Sequence, residues 1–405
     1  MASLPAFVPA THPAVAITNP GKPLHLINLP TIPPSPGEVL VHVTHTSSSP
    51  LDLHRASGDL HVHNNTPFIM GITIGGTVVA VGPSKEQKQE QEKDATRDLR
   101  VGDRVFGFVN DGDKREAGFQ AYATVPAWKL GRVPEGVDMQ DAVAVPANLV
   151  TAMHTVVEDL GLPLPWPVVS PVPSSAAEKG RVKEKEDEIV LVWGAASSVG
   201  MYIVQVLRHW GYRHVLAVAA GKHHEVLKEL GARQCFDYRE GDVVGKVLGY
   251  LEDLEKTENN KEGRPRVPYI VDCIGSKEGT LRLLTRIADK GSRVAIMLPV
   301  INVHATKDQK SELEMDVSKV LVGEWKNGVE LRGVRTFLYH QNEFLKHHLQ
   351  PEIIPALLEQ RVIKPNKLRM VEGKTLLDRA QKALDLLRDQ AVSGEKLVWR
   401  VADDI

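Results

Sequence analysis

The stretch that decides the fold is Val190–Gly200, which reads VLVWGAASSVG. Its apolar run predicts a buried strand, Gly194 predicts a tight turn, and the small residues after it let a backbone approach a phosphate. The following MYIVQVLRHWG predicts a helix, whose N-terminal N–H groups and dipole favour an anion. An ATP-binding loop would end in Gly-Lys-Ser/Thr, whereas Gly200 is followed by Met201 and Tyr202. The stretch therefore indicates a dinucleotide site, with Gly-x5-Gly spacing in place of the usual G-x-G-x-x-G.

The residue that selects the coenzyme lies at the end of the next predicted strand, HVLAVAA. In an NAD site an Asp or Glu about 20 residues past the glycine loop binds the ribose 2′-hydroxyl. Here the strand ends in Gly221, Lys222 and His223, with no carboxylate at its tip. A cation there suits the additional 2′-phosphate of NADPH, which a carboxylate would repel. We therefore predict NADPH, with Lys222 at the 2′-phosphate, His223 beside it and Tyr238 over the adenosine end. The alternative for Lys222 is a solvated turn lysine.

Length and composition exclude several classes of function. The chain has 405 residues and a formal net charge of −2, so no basic surface points to nucleic acid or an anionic membrane. Its two cysteines, Cys235 and Cys273, cannot form a disulfide framework or a four-cysteine zinc cluster. The first residues do not read as a targeting peptide, and no apolar run reaches the ~18 residues of a membrane helix. We therefore expect a cytoplasmic protein that binds neither nucleic acid nor membrane.

The order of predicted elements indicates two kinds of domain. Residues 1–146 contain short apolar or alternating runs separated by Gly, Pro and Asp, which is typical of a β-rich domain. Residues 189–300 alternate apolar strands with longer helical segments, which predicts βαβ units and a parallel sheet. Three charged or proline-rich stretches, 83–100, 161–188 and 252–266, are predicted to be exposed loops.

Six motifs occur in the order of a known family. They are SSSPLDLHRASG (47–58), FIMGITIGGTVVAVG, VGDRVFG, AGFQAYATVP, VPANLVTAMHTV and VSGEKLV. Together with the glycine loop they resemble the medium-chain dehydrogenase/reductase superfamily, in its zinc-free, quinone-reductase-like and enoyl-reductase-like branch. The resemblance implies an α/β fold, with a Rossmann doubly wound parallel sheet domain and a GroES-like β-barrel catalytic domain. The implied boundaries are 1–148 and 339–405 for the catalytic domain and 149–338 for the NADPH-binding domain.

The resemblance also implies roles for individual residues. Thr151 would contact the nicotinamide ribose, and the backbone near Ile274 and Leu298 would line the nicotinamide pocket. Ser49, Asp52 and Thr151 are the implied catalytic residues. The full set of predicted coenzyme contacts is Ser49, Thr151, Gly194, Ala195, Ala196, Ser197, Ser198, Val199, Lys222, His223, Tyr238, Ile274 and Leu298.

Departures from the family pattern bear on the chemistry. Ser49 stands where Asn is usual, and Thr73 stands where many members have Asp. The ligands that hold catalytic zinc in the superfamily's alcohol dehydrogenases are missing from THTSSSPLD and MGITIGG, so we predict no metal site. Without a Lewis acid, a C=C bond conjugated to a carbonyl is easier to reduce than a simple ketone, because hydride addition at the β-carbon gives a delocalised enolate.

The sequence and the resemblance together predict a zinc-independent, NADPH-dependent reductase that delivers hydride to the β-carbon of an enoyl thioester or polyketide-like enone. The alternatives are an NADPH quinone oxidoreductase and a non-catalytic NADPH-binding relative. Mitochondrial relatives have a Tyr proton donor where this chain has Leu60. His61, His63 or solvent would replace that donor, and the alternative for the two histidines is an ordinary solvated loop.

The resemblance extends to partners. The stretch 161–188 is similar to that of fungal trans-acting enoyl reductases of polyketide assembly, which implies a polyketide synthase as a candidate partner. The substrate would be a small molecule or an enoyl group bound to a carrier. Relatives occur as monomers and as homodimers, and the sequence leaves both states open.

Overall fold

The computed structural model of the chain describes residues 5–58, 60, 66–83, 99–167, 187–257, 264–304 and 311–402. His61 and His63 lie outside these residues, as do 84–98, 168–186 and 258–263 of the three stretches predicted to be loops. Residues 252–257 instead form the end of a helix, Val243–Thr257, so the loop prediction is wrong for them. The chain divides into two units. Unit 1 comprises Met1–Val150 and Phe337–Ile405, and unit 2 comprises Thr151–Thr336.

Unit 1 begins as a series of mainly antiparallel strands joined by short turns. Their β-branched and other apolar residues are mostly buried, which suits strands that pack on a core. The strands are β1 (Thr11–Ile17), β2 (His25–Pro30), β3 (Glu38–Ser48), β4 (Phe68–Ile69), β5 (Thr73–Val81), β6 (Arg104–Phe108), β7 (Tyr122–Pro126) and β8 (Gly131–Arg132). The helical segments up to residue 159 are α1 (Pro50–Ser57), α2 (Met139–Val143), α3 (Pro146–His154), and short turns at Ala127–Lys129 and Thr155–Asp159.

Unit 2 alternates strands and helices along the chain. Its strands are β9 (Ile189–Trp193), β10 (His214–Val218), β11 (Gln234–Phe236), β12 (Tyr269–Asp272), β13 (Arg293–Met297), β14 (Val300–Val303), β15 (Glu312–Glu314) and β16 (Glu330–Val334). Its helical segments are α4 (Ser198–His209), α5 (His224–Leu230), α6 (Val243–Thr257), α7 (Arg282–Leu284), and short turns at Gly221–His223, Lys277–Leu281 and Val317–Lys319.

A six-stranded sheet forms the centre of unit 2, in the order β11-β10-β9-β12-β13-β16. All of its pairings are parallel. Counted along the chain, this order is the 3-2-1-4-5-6 arrangement of a Rossmann fold. Strand β10 is buried along its whole length, as expected of a parallel strand covered on both faces. The order reverses between β9 and β12, and the carboxyl ends of strands at such a switch point are where doubly wound sheets bind ligands.

The last part of the chain returns to unit 1 and completes its main sheet. Its elements are α8 (Glu343–His348), α9 (Ile354–Glu359), β17 (Leu368–Met370), α10 (Leu376–Arg388), β18 (Lys396–Arg400), and short turns at Thr336–Gln341 and Leu349–Ile353. The sheet has the order β17-β18-β3-β5-β6-β8, and β7 also pairs with β3. Strand β18 is antiparallel to β3, with Leu397 opposite Ser48 and Arg400 opposite His45. Both ends of the chain therefore build one β domain.

Each unit has its own apolar core. In unit 1, Phe119 and Trp399 are completely buried and pack edge to face, with ring centroids 4.6 Å apart. In unit 2, Leu191, Leu216 and Ile270 from three neighbouring strands are completely buried in one cluster. None of the helices in the described ranges is both long and apolar enough to cross a membrane.

Candidate functional site

The glycine turn after β9 is held against two neighbouring strands. Gly194 has a φ of +73°, which favours glycine, and a Cβ added there would lie 2.6 Å from Cγ1 of Ile274. The N–H groups of Gly194 and Ala195 both donate to the carbonyl of Val218, at 3.0 and 3.1 Å. The turn is therefore fixed at the carboxyl ends of β9 and β10, at the switch point of the sheet.

Helix α4 begins directly after this turn. Ser197 is its N-cap residue, and the Ser197 hydroxyl accepts the N–H of Gly200 at 3.1 Å. A Cβ on Gly200 would lie 2.6 Å from the carbonyl oxygen of Gly194, so only glycine lets the helix start this close to the strand. Ala196, Ser197, Ser198 and Val199 stay partly exposed, whereas the side chain of the predicted contact Ala195 is completely buried. The glycine turn and the start of the twelve-residue helix α4 therefore place backbone N–H groups at the switch point of the sheet, as a phosphate-binding site requires.

The tip of β10 carries both a cation and a carboxylate. Lys222 is exposed in the turn Gly221–His223, and none of the described residues forms a hydrogen bond or ion pair with it. The sequence indicated no carboxylate at this tip, but the structure brings Asp237 there from the end of β11. Its Oδ2 accepts the N–H of Gly221 at 2.6 Å. Hydrogen bonds from Arg239 hold the pKa of Asp237 below its usual range, so this carboxylate is ionised.

The ends of β12 and β13 supply the predicted nicotinamide-pocket residues. Asp272 is completely buried and accepts the N–H groups of Ile274 and Gly275 at 3.0 and 3.1 Å. It also accepts the hydroxyl of Thr280 at 2.6 Å, and burial raises its pKa to about 6. These hydrogen bonds hold the loop after β12, in which 42% of Ile274 is exposed to solvent. Leu298 follows the adjacent strand β13 and is partly exposed.

The other predicted coenzyme contacts in unit 2 lie on separate elements. The hydroxyl of Thr151, on α3, is 3.1 Å from that of Thr336, which follows β16. Tyr238 is 52% exposed beside the tip of β11. His223 is partly buried in the turn after β10, and burial lowers its pKa. The structure therefore brings Lys222, His223 and Tyr238 to the tips of two adjacent strands.

In unit 1, the predicted residues Ser49 and Asp52 lie at the start of α1. Ser49 is the N-cap residue, and its N–H donates to Oδ2 of Asp52 at 2.7 Å. Asp52 has no exposed surface, and burial raises its pKa to about 6. A carboxylate with no exposed surface cannot touch a substrate. Asp52 instead fixes the backbone at Ser49 and Pro50.

Thr73, the second departure from the family pattern, joins a group of buried hydroxyls. Its Oγ1 lies 2.8 Å from Oγ of Ser47 and accepts the N–H of Ser47 at 3.0 Å. Thr46 donates to the carbonyl of Thr73 at 2.7 Å. Hydroxyls are not the thiolate, imidazole and carboxylate ligands that zinc prefers. Within the described ranges, no group of three or more His, Cys, Asp and Glu side chains could hold a metal ion.

Comparison with known proteins supports the suspected family. The family described as the alcohol dehydrogenase GroES-like domain matches residues 35–154. The trans-enoyl reductase himH of Aspergillus japonicus is 27% identical over 371 residues, 90% of either chain. The lovastatin nonaketide synthase enoyl reductase component lovC of Aspergillus terreus is 27% identical over 340 residues, 83% of either chain. The GroES-like match and these relatives support the resemblance to the medium-chain dehydrogenase/reductase superfamily.

Several solved structures share the fold of this chain. The CurK enoyl reductase aligns with a TM-score of 0.67 at 16% identity, over 97% of this chain and 99% of that one. A quinone oxidoreductase from Coxiella burnetii aligns at 0.64 and 18% identity, over 97% and 100%. A mycobacterial protein complexed with NADPH aligns at 0.64 and 22% identity, over 96% and 99%. The predicted fold class, a Rossmann sheet domain with a GroES-like domain, is confirmed.

The comparisons also bear on the general activity. The relatives himH and lovC are both named as enoyl reductases, which supports an oxidoreductase. The match to the GroES-like domain covers β3, and β18 from the last part of the chain completes the sheet that contains β3.

Sequence reasoning missed a group of buried charges in unit 1. Lys396, the first residue of β18, is 3% exposed, and burial lowers its pKa to about 8 although the charge of Asp52 opposes that shift. Nη2 of Arg55 lies 2.7 Å from Oδ1 of Asp111, and burial raises the pKa of Asp111 to about 7. The sequence signal for this group was Lys396, a charged residue directly before the apolar residues of EKLVWRV.

Proposed function

We propose that the protein is a zinc-independent reductase that uses NADPH to reduce an activated C=C bond, in an enoyl thioester or a polyketide-like enone. The observation that carries the proposal is the turn at the switch point of the parallel sheet, where Gly200 has no room for a Cβ. The relatives himH and lovC, both named as enoyl reductases, favour this substrate class over simple ketones.

The residues around the switch point fit the proposed coenzyme. Ser197, Ser198 and Val199 would hold the pyrophosphate at the N-terminus of α4, where N–H groups and the helix dipole favour anions. Lys222 would pair with the 2′-phosphate, and Ile274 would line the nicotinamide pocket. We assign coenzyme binding to unit 2, and we assign the substrate-side residue Ser49 and its positioning residue Asp52 to unit 1. When bound, NADPH would supply a hydride for the β-carbon of the substrate.

The chain's own residues would orient the reacting groups. We assign the Thr151 hydroxyl, hydrogen-bonded with Thr336, to the nicotinamide ribose, because the pairing restricts its rotation. We assign Ser49 to the substrate side and Asp52 to positioning, since the buried Asp52 carboxylate fixes the Ser49 N–H at 2.7 Å. Enolate charge would be held by hydrogen-bond donors in a site sheltered from water. The proton for the α-carbon would come from a donor or from solvent.

A substrate screen tests the proposed reaction. Purified protein and NADPH are mixed with crotonyl thioesters, simple enones, quinones and ketones, and the absorbance of NADPH is followed. We expect turnover with thioesters or enones and little with simple ketones, because the ligand set for a zinc Lewis acid is missing. Faster turnover of quinones would replace the proposal with a quinone oxidoreductase. Binding of NADPH without turnover of any acceptor would indicate a non-catalytic relative.

Replacing Lys222 with alanine tests the choice of coenzyme. We expect KM for NADPH to rise about tenfold or more, because a charge-assisted hydrogen bond contributes about 1.5–3 kcal/mol. KM for NADH should stay nearly unchanged. The matched control is Lys228→Ala, which removes an exposed lysine on α5 that pairs with Glu225. A parallel loss with NADPH and NADH would contradict the assignment of Lys222 to the 2′-phosphate.

We also propose that the natural substrate is attached to a carrier and that a polyketide synthase is the partner. The support is the relative lovC, which is named as the enoyl reductase component of a synthase. The same screen addresses this point when each thioester is offered both free and attached to an acyl carrier protein. Preference for the attached form would support a synthase partner, and equal rates would argue against one.

A further inference from the structure

The carboxylate of Asp237 is fully occupied by donors at the predicted 2′-phosphate end of the coenzyme site. Its Oδ2 accepts the N–H of Gly221 at 2.6 Å and Nη2 of Arg239 at 3.0 Å. Its Oδ1 accepts the backbone N–H of Arg239 at 2.9 Å and Nε of Arg239 at 3.2 Å. Only 10% of the Asp237 side chain is exposed, whereas 53% of Arg239 is. Arg239 therefore covers the carboxylate from the solvent side.

This covered carboxylate lies next to the position that decides coenzyme choice in Rossmann folds. In NAD sites, an acidic residue near the tip of the second strand accepts the ribose 2′-hydroxyl. Asp237 reaches that tip from the neighbouring strand, since its Oδ2 touches the backbone of Gly221 and a Cβ on Gly221 would lie 2.8 Å from it. An uncovered carboxylate there would accept a ribose hydroxyl and would repel a 2′-phosphate.

Arg239 also keeps donors for an anion. Its contact with Asp237 uses Nε and Nη2, one edge of the planar guanidinium. Nη1 has no partner in the part of the chain that the structure describes, so two N–H groups remain on the other edge. Together with the exposed ammonium of Lys222, these donors suit a phosphate dianion.

We infer that Arg239 and Asp237 form the coenzyme-selectivity device of this protein: the arginine covers an NAD-type carboxylate and offers its free edge to the 2′-phosphate of NADP(H). This inference rests on the proposed function and deepens it. Without Arg239, the same strand tips would present Asp237 to a ribose hydroxyl. Selectivity therefore depends on two residues of the loop after β11, Asp237 and Arg239, as well as on Lys222.

Binding measurements on the full-length protein test the device without relying on turnover. Calorimetric affinities are measured for NADP+, NAD+ and 2′,5′-ADP with wild type, Arg239→Gln, Asp237→Asn and the double variant. We expect Arg239→Gln to weaken NADP+ and 2′,5′-ADP about tenfold or more and to strengthen NAD+ several-fold, up to about tenfold. Asp237→Asn should bind NADP+ within a few-fold of wild type. Loss of the negative charge favours the phosphate, but the amide nitrogen cannot accept from Arg239 and no longer holds the guanidinium in place.

The double variant separates the two roles of Arg239. The gain in NAD+ affinity requires a free carboxylate, so it should disappear in Asp237→Asn with Arg239→Gln. The control is Arg266→Gln, which changes a partly exposed arginine that pairs with Glu252 and lies ahead of β12, at the amino ends of the parallel strands. It should change neither affinity. If Arg239→Gln lowers the affinities for NADP+ and NAD+ equally, the inferred role of Arg239 and Asp237 in coenzyme selection is refuted. If wild type binds none of the three ligands, the proposed function itself fails.

Discussion

Replacing Gly200 with alanine should reduce the affinity for NADPH by about 100-fold or more. A Cβ at this position would lie 2.6 Å from the carbonyl oxygen of Gly194 and 2.7 Å from Cα of Ala195. Both atoms belong to the backbone and cannot rotate away, so the first turn of α4 must shift from the end of β9. Such overpacking costs about 1–3 kcal/mol of folding free energy. The shift also displaces the N–H groups proposed to bind the pyrophosphate, and calorimetry with NADPH measures the result.

Gly249→Ala is the matched control for this substitution. Gly249 lies inside α6, and nothing is within 4 Å of a Cβ added there. Alanine has the higher helix propensity, so this variant should gain up to about 1 kcal/mol in the free energy of unfolding. It should bind NADPH as wild type does. Unchanged NADPH binding by Gly200→Ala would show that the coenzyme does not lie over this turn.

Replacing Lys396 with methionine should lower the free energy of unfolding by about 1–3 kcal/mol at neutral pH, the usual cost of leaving a buried polar group uncompensated. Lys396 is 3% exposed, and its positive charge stabilises the ionised form of the completely buried Asp52. Oδ1 of Asp52 has no hydrogen-bond partner in the described ranges. Without Lys396, much of the desolvation cost of this carboxylate would be uncompensated. Urea unfolding followed by circular dichroism measures the loss.

Two further variants separate the buried charge from the loss of a lysine. In Asp52→Asn with Lys396→Met neither charge remains, and Asn can still accept the N–H of Ser49. This double variant should therefore recover much of the lost stability. Lys367→Met removes an exposed lysine that lies 2.7 Å from Glu395, and it should cost less than about 1 kcal/mol. If the double variant is no more stable than Lys396→Met alone, the electrostatic interaction between Lys396 and Asp52 does not stabilise the fold.

The features that the sequence predicted correctly are local ones. The strand, turn and helix of Val190–Gly200 depend on neighbouring residues, so a short stretch contains the whole signal. The alternation of strands and helices after residue 189 likewise predicted the parallel sheet, because hydrophobic periodicity and turn residues are read within one element. Lys222 was placed at the tip of β10 on the same grounds, and it lies there.

The features that the sequence did not reveal depend on how strands lie side by side. Asp237 reaches the tip of β10 only because β11 pairs with it, with Val218 opposite Phe236. No local pattern marks that register, and the carboxylate at the tip was missed. Lys396 likewise reads as a surface lysine until β18 is placed inside the sheet of unit 1. Its electrostatic partner, Asp52, is more than 300 residues away in the chain.

The split construction of unit 1 has a consequence for biosynthesis. The hydrogen bond from Nε1 of Trp399 to Oγ of Ser48 joins residues 351 positions apart, and β18 pairs along the end of β3. Unit 2 is continuous in the chain, so a nascent polypeptide can fold it while β3 still awaits its last neighbour. Until β18 has been synthesised, the backbone of residues 45–48 at the end of β3 stays open to strands of other molecules. Aggregation would therefore begin in the GroES-like part of the nascent polypeptide and not in its Rossmann part.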